Sequence, residues 1–291
     1  MNTTLLYIYT VLVWGSTWIA IKYQLGDISP IVSIAHRSGL SALIMLAIML
    51  PAGRLTRLDP RDHLFVLAQG LSMFSVNYLF IYAAAGEITS GLIAVVFSTM
   101  VILNIVNGAL FMRVPVTGTV VVGAALGMIG MACVFLPELR ALDFSPAALQ
   151  ALLLCALGTL CASAGNIIAV RNHRRQLPVL TCNVWGMFYG SIALYGLAAV
   201  RGEHIAIAWN ARYVGSLLYL SLFGSVLAFW AYVTLIGRIG PGRASYTTLL
   251  FPIVALLIST VLEGYQWTLW ALVGLTLVLS GNWIAMRRNR V

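Results

Sequence analysis

Charge is what this sequence has least of. Asp, Glu, Lys and Arg together make up 9% of its 291 residues, against about 25% in soluble domains, and lysine occurs once, as Lys22. So little charge cannot cover a water-facing globule, and no stretch is polar enough for a separate soluble domain. No aspartate falls inside an apolar run, and neither HExxH nor GxSxG occurs. A membrane-embedded hydrolase or protease needs a nucleophile with a base, or a metal cluster, at depth, so no enzyme activity is expected. The four cysteines, Cys133, Cys155, Cys161 and Cys182, lie in apolar segments without CxxC spacing. There a thiol behaves as a small hydrophobe, and neither a disulfide, a metal nor any other cofactor is expected. The start of the chain lacks a basic n-region and a small-residue cleavage site, so the first apolar run is expected to persist as an anchor.

What is there is hydrophobic. Apolar residues make up 61% of the chain, with a mean hydropathy of +0.95. A helix needs about 20 mostly apolar residues to cross the hydrocarbon, and such runs fall at 4–23, 31–50, 63–85, 90–111, 118–136, 146–170, 179–200, 211–236, 244–262 and 267–286. The runs lack the alternation of barrel strands, and only helices or closed barrels satisfy their backbone in lipid. The expectation is an all-α membrane protein of ten transmembrane helices. An even number puts both termini on one side. With the termini cytoplasmic, twelve of the seventeen basic residues, including Arg54, Arg57, Arg61, Arg113, Arg171 and Arg174, fall in inner loops, as the positive-inside rule requires. The net charge of +9 is thus a topology signal, with the bilayer and not nucleic acid as the partner.

Two halves, 1–140 and 141–291, resemble each other at a shift of about 151 residues, which sets Gly91 on Gly242, Thr117 on Thr268, Gly123 on Gly274 and Gly130 on Gly281. Five spans is an odd number, so a duplicated half enters the membrane from the opposite side, giving two inverted five-helix repeats. Inverted repeats place a binding site between the halves near the midplane. That arrangement implies transport of a small molecule.

Several motifs in order carry a resemblance. Trp14-Gly15-Ser16-Thr17-Trp18 is followed by Lys22, then Pro30 by Arg37; later come Arg243-Ala244-Ser245, Leu250-Phe251-Pro252 and Glu263, then Gly274 and Gly281. Over its full length the chain resembles the EamA-type transporters of the drug/metabolite transporter superfamily. The resemblance implies a basket with a cavity lined by spans one, three, four, six, eight and nine, and export of amino acids, drugs or other metabolites across a bacterial inner membrane. One departure is Val101, the first-half counterpart of Pro252, which supplies no proline kink to span four.

Amides and aromatics buried in apolar segments are the candidates for substrate binding, since each buried amide needs a partner. Phe74, Tyr78 and Tyr82 share a helix face by their spacing, with Asn77 beside it. Asn166 on span six, Trp185 and Tyr189 on span seven, and Tyr246 complete the set. For Tyr7, Tyr9, Trp209, Trp267 and Trp270, near span ends, the interfacial belt is expected instead. Ionisable groups at depth cost at least about 2.5–3.5 kcal/mol, which singles out Arg37, as a structural tie or a fixed cavity charge, and His36 beside it. Lys22 and Glu263 snorkel at span ends or pair as an outer gate. Pro252 kinks span nine, with Gly240-Pro241-Gly242 as its hinge. Proton antiport and facilitated diffusion both fit these residues, as does a sugar or nucleoside facilitator or importer, and nothing in the sequence sets the oligomeric state.

Overall fold

The structure, a computed structural model, describes residues 1–24, 26, 28–85, 87–142, 144–262 and 267–286, without the side chains of Trp18, Ile19, Lys22, Ser90, Ser259 and Leu262. Helices start where the sequence supplies a cap. Asn2 Oδ1 accepts from the Leu5 N–H at 2.8 Å and opens α1, Thr3–Lys22. Ser29 and Ser145 each precede a proline at the first helical position, where the missing N–H costs nothing. They open α2, Pro30–Met49, and α6, Pro146–Arg174. Asp59-Pro60 does the same for α3, Pro60–Ala85, although Asp59 makes no side-chain cap bond. The other long helices are α4, Ser90–Ser98 continued by Met100–Met112; α5, Gly118–Val134; α7, Val179–Val200; α8, Ala211–Ala244; α9, Thr247–Leu262; and α10, Leu269–Met286. A short helix, Leu136–Arg140, joins α5 to α6.

Among the described residues, seven helices (α2, α3, α4, α6, α7, α8 and α10) are long and apolar enough to cross a membrane, and Gly118–Val134 and Thr247–Ile258 are shorter apolar helices. Leu110, Phe111, Val200, Val261 and Leu269 stand exposed on the outside of this bundle, as lipid-facing side chains do. The chain is an all-helical, multi-pass membrane protein.

Three irregularities position the interior. A π turn, Ser72–Val76, interrupts α3, and a longer one, Leu220–Leu227, interrupts α8; such turns release backbone carbonyls from the helical ladder. α4 breaks at Thr99 without a proline, because the Ser98 and Thr99 hydroxyls each donate to a carbonyl three residues back, Val95 and Val96, at 2.6 Å. Back-bonding of this kind bends helices and replaces the proline that Val101 does not supply. Near its end α8 leaves helical geometry at Gly240, whose φ of 82° and ψ of 162° favour a residue without Cβ. Pro252 sits buried in α9.

Glycine sets the closest seams. A Cβ at Gly130 would meet the Gly274 carbonyl at 2.7 Å, and one at Gly281 the Gly123 carbonyl at 2.6 Å, so α5 and α10 pack backbone against backbone, the small-residue mode of membrane helices. α2 lies along α7, where the Ser191 hydroxyl donates to the Ala35 carbonyl at 3.0 Å. α3 packs on α6 and α7, α1 on α8 and α9, α4 on α6, and α8 on α2, α4 and α6. Tyr7 departs from the interfacial expectation. It is buried and accepts a hydrogen bond from Asn282 Nδ2 at 2.6 Å, which ties α1 to α10.

Candidate functional site

The π turn of α8 is the centre of a polar seam. The freed Gly224 carbonyl accepts from Trp14 Nε1 on α1 at 3.1 Å and from Arg37 Nη2 on α2 at 3.3 Å. Arg37 Nε donates to the Ser225 hydroxyl at 2.8 Å, and its guanidinium lies 5.2 Å from the centre of the Tyr78 ring on α3. Around it the Ser41 hydroxyl donates to the Arg37 and Ser221 carbonyls at 2.6 and 3.1 Å. The Ser38 hydroxyl donates to the Phe74 carbonyl, in the π turn of α3, at 3.2 Å. Arg37 is buried, and the described ion pairs all belong to Asp62. The seam therefore holds one positive charge among neutral partners.

A second polar layer joins α4, α6 and α8. Asn107 Nδ2 donates to the Ser163 hydroxyl at 3.0 Å, Asn166 Nδ2 to the Tyr232 hydroxyl at 3.1 Å, and Asn104 Nδ2 reaches the Pro241 carbonyl at 3.5 Å. Trp14 connects the layers, with its ring 4.9 Å from that of Tyr232 and 5.1 Å from that of Phe229. Beyond Asn104 and Pro241, the C-terminal ends of α6 and α8 line an open recess of about 440 Å³, with His173, Arg174 and Gly240 in its wall. These contacts stack aromatic faces and amides between two groups of helices.

Comparison with known proteins identifies the chain. The model of the EamA-like transporter family matches residues 1–136 and again 149–287. The chain belongs to the EamA-like transporter family. A relative named an uncharacterised transporter, from Archaeoglobus fulgidus, is 27% identical over 96% of this chain and 97% of its own length. The inner membrane transporter YedA of Escherichia coli K12 is 26% identical over 87% of this chain and 80% of its own. A probable amino-acid metabolite efflux pump of the same strain is 22% identical, covering 96% of this chain and 93% of its own. A solved structure superposes with a TM-score of 0.81 over 98% of this chain and 96% of that one, at 17% identity, which shows the shared fold. The chain is accordingly a membrane transporter of small molecules and not an enzyme.

The residues expected to bind substrate fall in five places in this EamA-like protein. Tyr78 is in the seam beside Arg37, and Asn77, one residue earlier, is buried with its Oδ1 unpaired. Tyr82 packs against the cluster that holds Ile31, Leu194 and Leu217. Asn166 is in the second layer. Trp185 and Tyr189 stack on each other at 5.8 Å, and the Tyr189 hydroxyl meets His63 Nδ1 on the first turn of α3 at 2.7 Å; that group belongs to the α3–α7 contact. Tyr246 is fully buried, with its hydroxyl on the Val120 carbonyl of α5. Of the gating candidates, His36 Nδ1 meets the Tyr213 hydroxyl at 3.2 Å, while Glu263 and the side chain of Lys22 lie outside the described residues. Tyr232, Ser225 and Gly224 were not singled out from sequence. The signal for Tyr232 was indirect: Asn166 in an apolar helix had to find a partner, and a tyrosine facing it is one of the few polar groups there.

Proposed function

We propose that this EamA-family protein is a ten-span exporter of small metabolites, amino acids and related compounds above all, in a bacterial inner membrane with both termini cytoplasmic. It works by alternating access between inverted halves, 1–140 and 141–291. The observation that carries the proposal is an asymmetry in packing. In the inverted repeat α1 to α5 correspond to α6 to α10. The contacts α1–α9, α1–α8 and α2–α8 then have as counterparts α6–α4, α6–α3 and α7–α3, and all six are made. The main departures involve α8. α8 packs along α4 and α6, whereas α3 has no comparable packing on α9 or α1 among the described residues. The packed set lies toward the C-terminal ends of α4, α6 and α8, next to Arg113, Arg174 and Arg243. The positive-inside rule makes that side cytoplasmic, so this conformation is closed inward and open outward. Rocking one half against the other exchanges the two sets of contacts, which is alternating access around a central site. The efflux-pump relatives support amino-acid metabolites as the solute.

Counterflow in proteoliposomes tests the function. Saturable exchange of amino acids is expected, with sugars and nucleosides failing to compete; exchange of neither amino acids nor other metabolites would sink the carrier. The orientation has its own check in a cysteine-free background. A cysteine replacing Phe97, half-buried and 6.3 Å from the Phe251 ring, is expected to react with an impermeant maleimide from outside. One replacing Asn104 is expected to be protected from inside. The opposite pattern would reverse the assignment of the closed side.

A further inference from the structure

We propose that Arg37 is the anchor for a carboxylate group of the transported solute, so that the substrate class is carboxylates, with amino acids as its zwitterionic members. The inference rests on the transporter function above and narrows it to a chemical group and a residue.

Arg37 is 6% exposed, and no carboxylate lies within ion-pair distance of it among the described residues. A guanidinium carries five N–H donors. Nε is used by the Ser225 hydroxyl and one Nη2 donor by the Gly224 carbonyl. Among the described residues Nη1 has no hydrogen-bond partner, and it is not among the sealed polar atoms, so it faces the space between the helices. The partners it does have are neutral. They fix the plane of the guanidinium and, among the described residues, leave its charge without a counter-ion, and the Tyr78 face at 5.2 Å offsets only part of that charge.

A charge taken out of water and held without an anion is disfavoured unless something else supplies one. The planar fork of arginine matches a carboxylate, with two parallel N–H···O bonds, better than it matches any neutral group. Position points the same way. The Arg37 Nη2 and the Thr17 methyl of α1 both border Gly224, so the guanidinium sits where α1, α2, α3 and α8 meet. Tyr78 supplies aromatic surface next to it, with Tyr82 one turn further along the same face of α3. A purely structural tie to the π turn of α8 would need only the Nε and Nη2 bonds.

The test is binding to the purified full-length protein in detergent, followed by counterflow. Each standard L-amino acid is titrated, and each that binds is compared with its amide and its decarboxylated amine. The wild type is expected to prefer the acid by at least about thirtyfold, as sites built around a hydrogen-bonded group do. In Arg37→Gln the acid is expected to lose most of that preference while the amide stays within about threefold of its wild-type affinity, and Arg37→Lys is expected to restore part of it. An amide bound as tightly as its acid by the wild type overturns the proposal. So does a folded Arg37→Gln with unchanged affinity for the acid, or the failure of every amino acid to bind. Where Arg37→Gln does not fold, the wild-type comparison still decides, together with Ser225→Ala, which loosens the guanidinium and is expected to weaken the acid selectively. Saturable counterflow of a neutral sugar with no carboxylate preference would overturn the anchor and leave the carrier standing; no counterflow of any solute would overturn the carrier itself.

Discussion

Asp62→Ala is expected to cost about 1–3 kcal/mol of stability, less than the loss on breaking a fully buried ion pair, because the Arg171 side chain left behind is 17% exposed and water screens its charge. Asp62 is 3% exposed in the first turn of α3. Its Oδ1 lies 2.6 Å from Arg171 Nη1 and its Oδ2 3.7 Å from Arg175 Nη2, on the last turns of α6. Arg171 also lies over the Phe65 ring at 3.8 Å, so it cannot swing into water without giving up that contact. Beside the pair, Asn172 Nδ2 donates to Gln69 Oε1 at 2.8 Å. Arg175 is more than half exposed and adds little, as solvent-screened charges do. Unfolding of the purified protein by denaturant or heat in detergent measures the loss. The pair is tested by Asp62→Ala/Arg171→Leu, which leaves no buried charge and is expected to regain much of it. A double variant as unstable as the sum of the two single ones would show that the ion pair is not the cause.

Gly274→Leu is expected to be among the most damaging of the glycine substitutions. A Cβ there would fall on the Gly130 carbonyl and within 2.7 Å of the Val134 amide nitrogen, both backbone atoms that cannot rotate away. Overpacking costs about 1–3 kcal/mol even where side chains can adjust, and here α5 and α10 would have to separate. The expected result is little monodisperse protein and a clearly lowered melting temperature. Gly196→Leu is the control, because nothing lies within 4 Å of a Cβ at Gly196. Equal melting of the two variants would contradict backbone-on-backbone packing of α5 and α10.

The helices were legible because apolar run length, broken by Gly, Pro or charge, is a local signal. Where the structure extends them, the cause is visible only in three dimensions. α6 continues past residue 170 to Arg174 because its last turn reaches Asp62 and the Met112 carbonyl. α3 begins at Pro60, which takes Asp62 from a loop into a buried helical turn. The π turns of α3 and α8 were not legible, since no residue type demands an extra residue in a turn. For the same reason the Gly224 carbonyl, a backbone atom, escaped any reading of side chains. Trp185 and Tyr189 were correctly placed on one face by their spacing, but what that face meets, His63, is more than a hundred residues away. Arg37 and Asn166 stood out because a charge or an amide in an apolar helix has few ways to be satisfied.

In the proposed alternating-access mechanism, the pairs α5–α10 and α2–α7 are each their own counterpart under the inverted repeat. A contact that maps onto itself is the same contact whichever face of the protein is open. Substitutions along the Gly123–Gly281 and Gly130–Gly274 seam therefore change how much protein folds and leave the balance between inward- and outward-facing forms untouched. That balance rests on the contacts of α8 with α4 and α6, where 1.4 kcal/mol is a tenfold change in population.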